Sequence, residues 1–317
     1  MSKRPFDSVA AARLTPRILM YPFDWIVIGY CTLMTVVLLL TGRPIRFYLD
    51  ELAFYVGAGL LSLLVARRLD ETHGGWEAFL RLLYPALLFT FFYRATGGLM
   101  HLVHPVFFDS SVAAFERQVL GFNPTLYFDQ HWQTPWLTEI LMFCYGSYYV
   151  MLPAFLIPVF LRRDYHVIRE FMAAATLTFF ASYLLFFLFP VAGPRWHFAD
   201  AYLHPVEGPL FTRAVQFIIE RGAVFGGAMP SSHTGVALVV LACCYRYYRR
   251  VGLLLIPLVT GLAIGAVWGR FHYLSDIVVG AAIGTAAVAV TRRYLRTDPA
   301  TASSTFAVRE SETEHAS

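Results

Sequence analysis

Eight long apolar runs separated by short loops constrain this chain more than any other feature. They fall at about residues 22–40, 51–66, 79–103, 136–161, 168–189, 232–248, 252–268 and 277–290. A run of this length in hydrocarbon must satisfy its own backbone hydrogen bonds, and a helix is the one structure that does so within a single segment. The mean hydropathy of +0.56 and the hydrophobic fraction of 57% exceed what a water-soluble globule of ordinary composition carries. The chain is therefore read as an all-α integral membrane protein. Lys3, Arg4, Arg13 and Arg17 precede the first run. That run is long and no small-residue cleavage site follows it, which marks an uncleaved span and not a signal peptide.

With eight spans, the pairs Arg67 and Arg68, Arg162 and Arg163, Arg249 and Arg250, and Arg292 and Arg293 share one face with the basic N-terminus. The opposite face carries fewer basic residues, among them Arg43, Arg46 and Arg117. The positive-inside rule places both termini in the cytoplasm, in a plasma or inner membrane. Residues 1–21 are then a cytoplasmic N-terminal segment, and the polar residues 297–317 a disordered cytoplasmic tail. Two non-spanning stretches, 108–120 and 210–219, repeat apolar residues at helical spacing between charged ones. Such helices lie in the membrane interface.

Composition also narrows the partners. A net charge of +4, with basic residues scattered among the loops, leaves no stripe for a nucleic acid. Cys31, Cys144, Cys243 and Cys244 all sit in apolar runs, without a CxxC, and read as buried free thiols. His101 and His104 lie three apart, but no carboxylate at fitting spacing completes a metal site and HExxH is absent. His101 is a structural or pocket-lining candidate, and neither a metal nor a cofactor is expected.

The chemistry-bearing residues gather on the extracytoplasmic face, in GAMPSSHTG (227–235) and GRFHYLSD (269–276). Ionisable groups at membrane depth are costly and mark functional sites. His272 and Asp276 are four apart, on one face of a helix, so the carboxylate can orient the imidazole. His233 follows Pro230, Ser231 and Ser232 at a helix start. First-turn amides of Ser231, Ser232 and His233 would there form an anion site, with the imidazole able to protonate a leaving oxygen. Arg195 and Arg270 are the candidate phosphate-binding cations. Arg94, within the third run, is either a third such cation or a buried arginine paired inside the bundle. Tyr145, Tyr148 and Tyr149 share a helical face, with packing their commoner role and Tyr149 also a pocket candidate.

PSSH, followed 272 − 233 = 39 residues later by the histidine of HYLSD, resembles the second and third signature motifs of the type 2 phosphatidic acid phosphatase superfamily, PSGH and SRxxxxxHxxxD. HYxxD together with HPVFFD, FERQVLGFNP and YGSYY is similar to the branch holding the inositol phosphorylceramide synthases. The resemblance spans about residues 79–290. It implies a six-helix core (79–296) preceded by two additional spans (22–78), with interfacial amphipathic helices. It also implies a metal-independent enzyme acting on a lipid phosphate. By the same resemblance His272 attacks phosphorus, Asp276 orients it, His233 is the general acid, and Ser231 and Ser232 cradle the phosphate. The chain departs from the family in two places. GPR stands where KxxxxxxRP is usual, and Ala266 occupies the usual place of the third-motif arginine, with Arg270 nearer to His272. The expected activity is that of a lipid phosphate phosphatase or a phospho-head-group transferase. The alternative is a transporter or structural membrane protein on the same fold, whose signature would be paired broken helices at mid-membrane.

Overall fold

Each apolar run forms a helix in the computed structural model, which describes residues 20–41 and 44–297. In chain order the helices of the described residues are α1 (Pro22–Leu40), α2 (Leu49–Arg68), α3 (Gly75–Gly97), α4 (Asp109–Leu120), α5 (Pro124–His131), α6 (Pro135–Gly146), α7 (Tyr148–Leu161), α8 (Tyr165–Leu188), α9 (Pro194–His197), α10 (Phe211–Gly222), α11 (Ser232–Tyr247), α12 (Arg249–Trp268) and α13 (Leu274–Thr297). The expected N-terminal segment and C-terminal tail lie almost wholly outside the described residues. Among the described residues seven helices are long and apolar enough to cross a membrane, with α6 and α7 counting as one, broken at Ser147. The protein is an all-α integral membrane protein. The eighth expected span, α11, has only 16 residues but runs between the same two ends of the bundle as its neighbours.

Those ends are fixed by polar contacts. At one, Arg169 pairs with Glu71, the Tyr248 hydroxyl donates to Asp164 (2.5 Å), and Arg292 donates to Glu170 (2.7 Å). This gathers the α2–α3, α7–α8 and α11–α12 connections with the far end of α13. At the other end sit α4, α5, α9, α10, the start of α11 and the α12–α13 turn, and both candidate motifs lie there.

Helix α8 is the axis of the bundle. Its apolar window is 72% buried, against 28% for α2, because it packs against α1, α3, α7, α11 and α13. Association in lipid depends on close packing more than on water exclusion, and aromatic rings fill this interface. Tyr30 of α1 stacks on Phe180 at 4.3 Å between ring centres, and Phe92 of α3 meets the same ring edge-on at 4.8 Å. Helix α1 therefore rests directly on the central helix, and α2 packs against α1 and α3.

A buried ion pair fastens α1 further. Arg81 of α3 donates to both carboxylate oxygens of Asp24, at 3.0 and 2.6 Å, and the Tyr84 hydroxyl adds a bond of 2.8 Å. Asp24 is fully buried and Arg81 nearly so. Removing one partner strands the other charge, at a cost of about 3–5 kcal/mol. Asp24→Ala is thus expected to lower the thermal midpoint in detergent sharply, and Asp24→Leu with Arg81→Met to recover most of it. Equal midpoints for the single variant and wild type would refute a structural role for the pair.

Three details differ from expectation. The third span ends at Gly97 and not at 103, because Gly97 and Gly98 stop the helix and residues 99–103 turn towards α4. Cys144 is only half-buried, while Cys31, Cys243 and Cys244 are buried, and all four are free. The interfacial helices appear as α4 and α10, joined by α5, which carries too few apolar residues to announce itself.

Candidate active site

Helix α11 begins at Ser232, capped by Ser231, whose hydroxyl accepts the Thr234 amide at 3.4 Å. The Ser231 amide is itself donated to the backbone carbonyl of Asp276 at 2.9 Å. The start of α11 is thereby stapled to the first turn of α13. Ser231 is fully buried and its polar groups are engaged, so its amide is not among the free first-turn donors that the sequence suggests. Ser232 and His233 supply those, and both line a cavity of about 230 Å³ at this end of the bundle.

His272 lies on the opposite wall of that cavity. The α12–α13 turn brings it there by placing Arg270 in the left-handed region, at φ 64. The His272 Nδ1 is 2.8 Å from the carbonyl oxygen of Ala228. A carbonyl can only accept, so Nδ1 carries the proton and the Nε2 lone pair points from the far side of the ring. Asp276 Oδ2 stands 3.4 Å from the same Nδ1 and accepts the Tyr273 amide at 2.8 Å. The nearer orienting group is therefore Ala228, with Asp276 behind it. The rings of His233 and His272 are 6.4 Å apart. Tyr148, Tyr145 and Tyr149 surround His233, with ring centres at 4.3, 5.9 and 6.0 Å, so a face that suggested packing encloses the histidine.

The two candidate arginines both line the cavity, in different conditions. Arg195 starts the short α9, its amide donated to the Arg270 carbonyl at 3.0 Å. Arg270 is already paired: its guanidinium donates to Asp129 at 2.7 Å and to the His204 carbonyl, and lies over the Tyr202 ring at 3.7 Å. Burial lowers its pKa, against the opposing pull of Asp129 and Tyr202. Arg94 is exposed near the end of α3 and lines neither the cavity nor the chamber beside it, so it is not the buried, paired arginine that the sequence also allowed. His101 is also exposed, its Nδ1 donating to the His104 carbonyl at 2.9 Å, outside the cavity wall. Tyr149 lines an adjoining chamber shared with His233.

Four carboxylates that sequence reasoning missed hold this end together. Asp109 accepts the amides of Ala192 and Gly193, both at 2.8 Å, and the Tyr273 hydroxyl at 3.1 Å, tying the turn before Arg195 to the one bearing His272. Asp129 takes the amides of Leu203 and His204 besides Arg270. Glu139 caps α10 through Leu210, Phe211 and Thr212, and Glu116 caps α13 through Ser275. All four are buried.

A family model, that of the PAP2 superfamily, matches residues 110–290, more than half of the chain, and the match takes in both motifs and the lining of the cavity except Tyr93. The chain belongs to the PAP2 superfamily. Neither the curated proteins nor the solved structures include a match to it.

In this PAP2 chain the spacing between the two motifs is set by a close helix crossing. Gly280 and Gly284 of α13 form a GxxxG step against Gly235 of α11. A Cβ on Gly280 would collide with the Ser231 carbonyl, and one on Gly284 with the Gly235 carbonyl. Gly280→Ala must push α13 off α11, an overpacking cost of about 1–3 kcal/mol, and with it move His272 relative to His233. Its expected signature is a lower thermal midpoint and a loss of turnover larger than that of Gly57→Ala, where a Cβ meets open space. Wild-type behaviour of Gly280→Ala would show that the crossing does not set the site.

Proposed function

We propose that this protein is a lipid phosphate phosphatase or phospho-head-group transferase working through a phosphohistidine on His272. The observation that carries the reading is the fixed tautomer of His272, whose Nε2 lone pair is free on a cavity wall facing His233. The Nε2 attacks phosphorus and the bond to the lipid oxygen breaks. His233 gives its proton to that oxygen, so the lipid leaves as an alcohol. The Ala228 carbonyl and Asp276 stabilise the positive imidazolium that results. Water or an alcohol then attacks the phosphohistidine, its proton returning to His233, and His272 is restored. Arg195, Arg270 and the first-turn amide of Ser232 meet the phosphate charge.

A lipid leaving group is supported by the neighbouring chamber of about 340 Å³, which shares Tyr93, Ser232 and His233 with the phosphate cavity and continues along Phe89, Leu152 and Phe179. The transferase form, of inositol phosphorylceramide synthase type, rests on the HYLSD and YGSYY resemblance. Basic residues concentrate at the far end of the bundle, which supports cytoplasmic termini and an extracytoplasmic site.

The test is phosphate release in detergent with EDTA from phosphatidic acid, a polyprenyl pyrophosphate and a phosphosphingolipid, with and without an alcohol acceptor. Release that persists in EDTA and disappears in His272→Ala is the expected result, and diversion of phosphate to the alcohol identifies a transferase. Abolition by EDTA, or release indifferent to His272, would overturn the mechanism.

A further inference from the structure

A third cavity lies behind the catalytic turns. It is a groove of about 490 Å³ between α4 and α13, on the opposite side of Met229 and Ser275 from the phosphate cavity. Its walls include Phe115, Val119, Leu120, Phe189, Val278 and Val279. Phe115, Val119 and Val278 are 57, 62 and 60% exposed, so the groove opens sideways, where the surface of the bundle meets acyl chains. One ionisable group stands at its floor: Glu116, 2% exposed.

The Glu116 carboxylate is half satisfied. Its Oε1 accepts the Ser275 amide at 2.8 Å and the Ser275 hydroxyl at 2.9 Å, while Oε2 has no hydrogen-bond partner. A buried acceptor without a donor is costly, and in a lipid-facing groove no water is at hand to supply one. Burial pushes this carboxyl above the ordinary carboxylate range, against the pull of the Ser275 amide and hydroxyl.

We infer that the α4–α13 groove binds a neutral lipid alcohol, its chain along Val119 and Val278 and its hydroxyl donated to Glu116 Oε2. The chemistry of the groove selects this class. No arginine, lysine or histidine lines it, so an anionic phospholipid head would meet only a carboxylate. An ammonium head brings three donors to one open acceptor and would be left desolvated, whereas a hydroxyl brings one. Because Ser275 adjoins Asp276, and Met229 adjoins the Ala228 carbonyl that holds His272, an occupant would also bear on the turns that set the site. The inference does not depend on the proposed reaction.

The test is photolabelling of the full chain in nanodiscs with a diacylglycerol carrying a diazirine in one chain. Two control probes are its methyl ether, which lacks the hydroxyl, and a sphingoid amine with the same diazirine chain. Expected are saturable labelling of residues 111–120 and 274–279, about tenfold weaker labelling by the ether, weaker labelling by the amine, and loss of the label in Val278→Trp. That substitution fills the groove from a lipid-exposed position and leaves the Glu116–Ser275 bonds in place. Equal labelling by the ether would reveal annular lipid only. Stronger labelling by the amine, a label that survives Val278→Trp, or one confined to the His233 chambers would each overturn the inference. The comparison of probes on the wild type keeps the test decisive if the variant folds poorly.

Discussion

His272→Ala is expected to reduce turnover of a lipid phosphate by roughly 10⁴- to 10⁶-fold, the scale seen when a covalent nucleophile is removed. The loss is expected on kcat, because the proposed phosphate ligands, Arg195 and the start of α11, remain in place. Stability should change little: the imidazole donates to Ala228 at 2.8 Å, a bond worth about 1 kcal/mol, and its contact with Asp276 is longer, at 3.4 Å. Brief incubation with a lipid labelled at phosphorus, followed by alkaline quenching, should leave label on the wild-type chain and none on the variant. Activity within tenfold of wild type, in a variant that retains its thermal midpoint, would remove His272 from the reaction.

His233→Ala should cost about 10²- to 10⁴-fold on the same lipid, the usual range for a positioned general acid. The diagnostic lies in the leaving group. An alkoxide of a lipid alcohol cannot depart without a proton, whereas a nitrophenolate can. The variant should therefore recover to within about tenfold of wild type on a nitrophenyl phosphate, if protonation is what His233 contributes. A loss of equal size on both substrates would instead assign His233 to phosphate binding or to the architecture of its tyrosine enclosure.

The frame was legible where physics is local. Apolar runs give helices because hydrocarbon leaves the backbone no other partner, and α1, α8 and α12 fall within a few residues of expectation. The amphipathic spacing of α4 and α10 was equally readable. Helix α5 was not, since Asp129, Gln130 and His131 break any periodic pattern within its eight residues. The paired histidines stand in motifs and are visible for that reason. The supports of the site are invisible in sequence because their partners are distant: Asp109 meets Ala192 and Gly193, Glu139 meets Thr212, and Asp129 meets Arg270, across 83, 84, 73 and 141 positions respectively. Nothing next to a carboxylate tells which backbone amide will find it. The Gly280–Gly284 step is the exception, a local pattern that announces a close crossing and so the spacing of the two motifs.

Helix α11 has 16 residues, a rise of about 24 Å, where the hydrocarbon of a typical bilayer measures about 30 Å. Helix α11 is thus about 6 Å shorter than that hydrocarbon, with its far end tied to Glu170 of α8 through the Tyr247 hydroxyl. Under the proposed mechanism His233, in its first turn, would work at the bottom of a dimple. A head group would have to sink below its neighbours to reach it, exchanging its hydration shell for the amides and arginines that line the cavity.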